Sequence, residues 1–198
     1  MSFLQGTRRR KWDLMKVHDS VAAVLYHKTK DAFVFVRQFR PAVWLGRLPK
    51  DMVKEGKLPA SSYPASNGLT YELCAGIIDK PDLTTEEIMQ EEIMEECGYK
   101  VPLSCIEKVN SYFNGTAETA DRQILYYAEV NETMKVSDGG GNPEEGEEIE
   151  VVYIPIEQGW SIISDESVNK PPGFIAALYW FYIHKAPHLL PNRTTKSN

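Results

Sequence analysis

The chain has 198 residues, enough for one domain with a sizeable core and too few for two full domains. Hydrophobic residues at 42% and charged residues at 25% exclude disorder as the default state, and a formal net charge of −6 argues against a nucleic-acid partner, which needs a basic surface. Cys74, Cys97 and Cys105 are odd in number and lack metal-ligand spacing, so no complete disulfide framework is expected and a reducing cytoplasm is the simplest compartment.

No charged start followed by an apolar core and a small-residue cleavage site opens the chain, so no secretory signal is expected. The basic run Arg8, Arg9, Arg10 and Lys11 reads as a solvated flank or strand edge. From Ser20 the apolar run Val-Ala-Ala-Val-Leu-Tyr, a polar Lys-Thr-Lys-Asp turn and Ala-Phe-Val-Phe-Val-Arg-Gln-Phe-Arg predict a β-hairpin. Residues 46–70 hold Pro49, Pro59 and Pro64 without sustained periodicity and predict a long loop of the lid or interface type. Strand character resumes at Tyr71 to Ala75, and Gly76 to Asp82 predicts a turn.

Thr84 with Glu87 three residues on has the spacing of a capping box, and Gly98 is a left-handed stop, so the segment between them predicts a helix. Ile106 to Tyr112 and Gln123 to Val130 predict a second hairpin around a polar loop with Gly115 and Glu118. Gly139 to Glu148 is a loop leading into a strand from Ile149 to Pro155. Pro171 and Pro172 open a C-terminal helix with Phe174, Ala177, Leu178 and Phe181 at helical spacing. Its apolar stretch Phe174 to Ile183 is too short to span a bilayer, so a buried or dimer-facing helix is expected and no membrane partner. Strands on both sides of a central helix predict an α/β or α+β sandwich.

Glu86, Glu87, Glu91, Glu92, Glu95 and Glu96 crowd six carboxylates onto that helix. Like charges four apart each cost about 0.2–0.5 kcal/mol in an isolated helix, and no lysine or arginine within the helix offsets them. Glu95 and Glu96 also sit beside the negative end of the helix dipole, where carboxylates are unfavourable. A cation relieves this arrangement, because Glu92, Glu95 and Glu96 lie at i, i+3 and i+4 and share one face. Hard oxygen donors at that spacing suit Mg²⁺ or Mn²⁺. A solvated acidic face without a ligand is the alternative from the helix alone.

Gly76 followed by Glu91-Glu92-Ile93-Met94-Glu95-Glu96-Cys97-Gly98-Tyr99 resembles the signature of the Nudix hydrolases. The family pattern is glycine, five residues, glutamate, seven residues, then Arg-Glu-apolar-any-Glu-Glu-any-Gly-apolar. Two positions depart from it: Leu83 stands where the front glutamate belongs, after one extra residue, and Glu91 replaces the arginine that pairs with that glutamate. Val36 to Val43, Tyr71 to Gly76 and the Glu-Glu-Cys-Gly-Tyr ending resemble the nucleoside diphosphate sugar branch. The resemblance implies an α/β/α sandwich with a mixed central sheet and an N-terminal β extension. The expected organisation is an extension at 1–19 that serves dimerisation, a hydrolase domain at 20–190 and a tail at 191–198.

It further implies Mg²⁺-dependent hydrolysis of a nucleoside diphosphate sugar, with UDP-glucose yielding UMP and glucose 1-phosphate, by a homodimer. The implied metal ligands are Glu92, Glu96, Glu95 and the Ala75 carbonyl. Glu95 and the loop residue Glu118 are the implied catalytic carboxylates, with Asp121 as another candidate base. Arg40, Arg37, Glu72 and Gly76 are the implied substrate-binding residues, and Tyr112, Phe113 or Trp44 could stack on the base. An ADP-ribose pyrophosphatase, a non-catalytic binding protein of the same fold and an acidic calcium-binding interaction protein are the rival readings.

Overall fold

A computed structural model describes residues 1–49, 61 and 63–190. The expected tail at 191–198, and residues 50–60 and 62 of the long loop expected at 46–70, lie outside the described residues. Among the described residues no helix is long and apolar enough to cross a membrane.

Strands β3 (Ser20–His27) and β4 (Ala32–Phe39) form the expected hairpin and the centre of a seven-stranded sheet. Both read as nearly unbroken apolar runs because both faces of the sheet are covered. Alternation sorts their side chains: Val21, Ala23, Leu25, Val34 and Val36 face one core, and Ala22, Val24, Phe33 and Phe35 face the other. Helix α2 (Thr85–Cys97) closes the first core with Ile88, Met89, Ile93 and Cys97. Helix α4 (Pro172–His184) closes the second with Phe174, Ala177, Leu178 and Phe181. The fold is therefore the expected α/β/α sandwich, and its sheet is mixed, because β3 runs parallel to β8 (Arg122–Val130) and antiparallel to its other neighbours.

The hairpin splays. Strands β3 and β4 pair only from Leu25↔Val34 to His27↔Ala32, and then separate to admit the segment 69–77 between them. That segment pairs with β4 as β5 (Leu69–Glu72), turns at buried Leu73, and pairs with β3 as β6 (Cys74–Ile77). The single strand expected near 71–75 is thus two short ones, and strand structure runs past Gly76 before the turn begins. Strands β7 (Glu107–Phe113) and β9 (Glu150–Pro155) extend the sheet beside β8 and β4. A separate two-stranded extension, β1 (Ser2–Gln5) with β2 (Arg8–Lys11), carries the basic run on an exposed strand. Two short helices are absent from the sequence-based expectation: α1 (Pro41–Gly46), which begins inside the strand-to-loop transition, and α3 (Gly159–Ser164).

The caps of α2 form as the sequence predicts. Thr84 Oγ1 accepts from the Glu87 N–H at 3.2 Å, and Glu87 Oε2 accepts from the Thr84 N–H at 2.8 Å. Such a cap contributes about 1 kcal/mol. At the other end Gly98 has φ 78°, and a Cβ there would lie 2.2 Å from the Ser137 carbonyl oxygen. The last carbonyls of α2 are met by a distant loop: the Gly140 N–H donates to Glu96 O at 2.9 Å and the Gly141 N–H to Glu95 O at 3.2 Å.

Candidate active site

The acidic helix lies over the splayed strands, and its six carboxylates separate by role. Glu87 completes the N-terminal cap, and Glu86 accepts from the Tyr126 hydroxyl at 3.0 Å. Glu91, which stands where the family has arginine, accepts from Lys80 Nζ at 2.6 Å. The turn after β6 is thus tied to α2 by an ion pair of the opposite polarity to the one the family pattern contains. Glu92 and Glu96 turn toward β6, and Glu95 stands on the exposed rim.

Glu96 is 2% exposed, and its Oε2 accepts from the Ala75 N–H at 2.9 Å. Burial pushes its carboxyl up to about 8, opposed by the hydrogen bonds from Ala75 and Cys74 and reinforced by the charges of Glu92 and Glu147. Glu92 lies directly on Gly76, where an added Cβ would come within 2.1 Å of its Cδ and Oε1. Strand β6 therefore offers a backbone amide to one carboxylate and a missing side chain to the other. Positive charge at this point would relieve both the crowding and the cost of ionising Glu96. Among the described residues no three histidine, cysteine or acidic side chains form a ready-made metal cluster. Two carboxylates beside a strand end nonetheless fit Mg²⁺, which commonly takes one or two protein carboxylates and fills its shell with water and substrate phosphates.

These residues line a cleft of about 780 Å³. Arg40, Glu72, Gly76, Ala75, Glu92, Glu95 and Glu96 all contribute to it. Arg40 forms a two-point fork with Glu72, Nε to Oε1 at 2.8 Å and Nη2 to Oε2 at 2.7 Å. The Glu72 hydrogen bonds hold the Arg40 guanidinium above its usual range, with the charges of Glu96 and Glu147 adding to the effect.

Other expected residues lie elsewhere. Arg37 donates to Glu150 Oε2 at 2.7 Å and lines a smaller neighbouring pocket of about 290 Å³. Glu118 is exposed and does not line the cleft; its carbonyl accepts from the Met15 N–H at 2.7 Å, which holds that loop against the N-terminal segment. Asp121 accepts from the Asn114 N–H through its carbonyl and does not line the cleft either. Trp44 is buried with its Nε1 donating to Pro64 O, Tyr112 donates to Gln123 Oε1, and Phe113 is exposed. No aromatic ring among the described residues lines the cleft.

Two loop carboxylates reach the cleft, Asp79 from the turn after β6 and Glu147, which sequence reasoning missed. Glu147 arrives because Gly140 and Gly141 bind the end of α2, and its Oε2 accepts from the Asn142 N–H at 3.0 Å. The run Gly139 to Gly141 marks a loop in the sequence, but nothing there says which helix the loop caps. Lys80, Arg47, Asn169 and Lys170 also line the cleft without having been expected.

No family model matches the chain. It is 38% identical to Uridine diphosphate glucose pyrophosphatase NUDT14 of Bos taurus, over 96% of this chain and 89% of the relative. It is 29% identical to GDP-mannose pyrophosphatase of Cronobacter sakazakii, over 76% of this chain and 66% of the relative. Among solved structures, that of an ADP compounds hydrolase superposes with a TM-score of 0.61 at 15% identity, over 91% of this chain and 82% of the other.

Proposed function

Because the chain belongs to the Nudix hydrolases, we propose that its cleft hydrolyses the diphosphate of a nucleoside diphosphate sugar, with UDP-glucose cleaved to UMP and glucose 1-phosphate. The observation that carries the reading is the pair of carboxylates converging on β6: Glu96 on the Ala75 amide and Glu92 on the bare Cα of Gly76. Glu92 and Glu96 would hold a divalent cation, Mg²⁺ or Mn²⁺, together with the Ala75 carbonyl, and Glu95 would assist them from the rim. The chemistry such a cation would supply there is charge to screen the diphosphate and acidity for the attacking water.

The chain's own residues do the rest. Arg40 presents a guanidinium already oriented by Glu72, a geometry suited to paired phosphate oxygens. Glu147, on the loop that caps α2, lines the cleft and is the carboxylate we assign to take the proton of the attacking water, whereas Glu118 and Asp121 do not line it. The relative named for UDP-glucose is matched over nearly the whole chain at higher identity than the one named for GDP-mannose, which favours uridine. We place the protein in the cytoplasm as a homodimer.

The test is turnover of UDP-glucose and ADP-ribose side by side with Mg²⁺. UDP-glucose is the expected better substrate, and Glu96→Gln is expected to remove most activity while leaving the circular dichroism spectrum unchanged. Faster cleavage of ADP-ribose would overturn the uridine assignment, and full activity of Glu96→Gln would overturn the carboxylate site.

A further inference from the structure

Tyr112 does not line the cleft, yet its hydroxyl is tied to it. The sheet sets Tyr112 of β7 opposite Gln123 of β8, Gln123 beside Ser20 of β3, and Ser20 opposite Ile77 of β6, in one row across the strands. Side chains of neighbouring strands in such a row stand about 5 Å apart, close enough for hydrogen bonds between them. The adjacent row runs through Ser111, Ile124, Val21 and Gly76. Ser20 therefore stands one row from the glycine on which Glu92 rests, on the face of the sheet that α4 covers.

A directed chain of hydrogen bonds runs along the row. The Tyr112 hydroxyl donates to Gln123 Oε1 at 2.7 Å, and Gln123 Nε2 donates to Ser20 Oγ at 3.2 Å. Burial holds the Tyr112 phenol above its usual range, so it keeps the proton that it donates. The Gln123 oxygen is thereby committed as an acceptor, its nitrogen is left to face Ser20, and the Ser20 oxygen accepts in turn. That sequence leaves the Ser20 hydroxyl to act as a donor. Gly173, in the first turn of α4, makes room for the chain: a Cβ there would lie 2.7 Å from the Tyr112 hydroxyl oxygen and 2.9 Å from Gln123 Oε1. Ser20 and Gln123 both line the cleft, so a buried phenol fixes the direction of a hydrogen bond offered inside it.

We infer that Ser20 donates to an oxygen of the substrate's diphosphate and is held in that role by Gln123 and Tyr112, which are positioning residues. An ionised diphosphate oxygen only accepts, so a serine committed to donating matches it, and hydrogen bonds to charged groups are the stronger ones. The place of Ser20, one row from Gly76, puts it beside the carboxylates, where the diphosphate must lie for hydrolysis. A hydroxyl contributes there without adding charge to a cleft in which Arg40 and Lys80 are already paired with Glu72 and Glu91. The inference rests on the sugar-nucleotide reading above and adds to it a contact that no part of the glutamate signature contains.

The test is a double-variant cycle on the better of UDP-glucose and ADP-ribose. Ser20→Ala removes the donor and is expected to lower kcat/KM by about tenfold. Tyr112→Phe frees Gln123 to turn its oxygen toward Ser20, which then gives its proton inward, and is expected to lower kcat/KM by about fivefold although Tyr112 touches no substrate. In the double variant the losses should not multiply, because both changes remove one hydrogen bond. Multiplied losses, an unchanged Tyr112→Phe or a fully active Ser20→Ala would each overturn the inference and leave the hydrolase standing. Competitive inhibition by methylenediphosphonate, which has diphosphate oxygens but neither sugar nor base, should weaken in Ser20→Ala by the same factor. Inhibition that is unchanged or absent would overturn the assignment to the diphosphate. Turnover of neither substrate by the unaltered protein would instead remove the hydrolase reading, and the inference with it.

Discussion

Gly76 and Glu92 show how one absent side chain sets up a site. The carboxylate of Glu92 occupies the space that any Cβ at 76 would need, so the glycine acts through close approach and not through an unusual backbone angle. Gly76→Ala is expected to push Glu92 away from β6 and to lower kcat/KM by about 100-fold, as displacements of about 1 Å do in preorganised sites. The melting temperature should move little, since Glu92 is only half-buried and can swing outward. A large loss of stability with activity per folded molecule preserved would show that Gly76 matters for folding and not for the site. Gly76 was legible in the sequence as part of a signature; the reason for it was not, because the side chain it accommodates lies sixteen residues on.

At the scale of the element, α2 was read almost completely from sequence. Its caps depend on neighbours three and four residues away, and such local rules survive without tertiary context. The repulsion expected among its glutamates is the part that tertiary structure altered. Partners from outside the helix, Tyr126 for Glu86 and Lys80 for Glu91, take up charges that an isolated helix would leave opposed. The Lys80–Glu91 pair also answers for the missing glutamate and arginine of the family pattern, since it ties the same turn to the same helix with the charges exchanged. Lys80→Glu and Glu91→Lys are each expected to loosen that turn, and the double variant to recover. The coupling should be about 0.5 kcal/mol in a thermal-unfolding cycle, the usual worth of an exposed pair. A coupling near zero would mean that the turn is held by its backbone alone.

For the whole molecule, the N-terminal hairpin is the conspicuous unsupported part. Two strands of four residues have no core of their own, and such a hairpin alone is marginal in water. The segment that follows it is tied to the loop at 117–118 by Trp12, whose Nε1 donates to Ala117 O at 3.2 Å, and by the Met15 N–H, which donates to Glu118 O at 2.7 Å. Leu4, Leu14 and Met15 are all more than half exposed. A second copy of the chain covering these residues is the expected arrangement, as symmetric pairing is the commonest closed assembly. Sedimentation should give a dimer for the whole chain and a monomer once residues 1–19 are removed. A monomer at micromolar concentration for the intact chain would overturn this expectation.

The sequence by itself determined the features whose causes are local: the period of each strand, the caps of α2, the hairpins, and the one helix face that collects Glu92, Glu95 and Glu96. It also identified the family, because a signature of glycine and glutamates at set spacing is legible without tertiary context. Only the tertiary structure decided that β3 and β4 splay around 69–77, that Glu147 reaches the cleft while Glu118 does not, and that hydrogen bonds join Tyr112 to Ser20 through Gln123. Each of those facts joins residues tens of positions apart or more, and such pairings follow from how the layers pack, which leaves no periodicity in the chain to read.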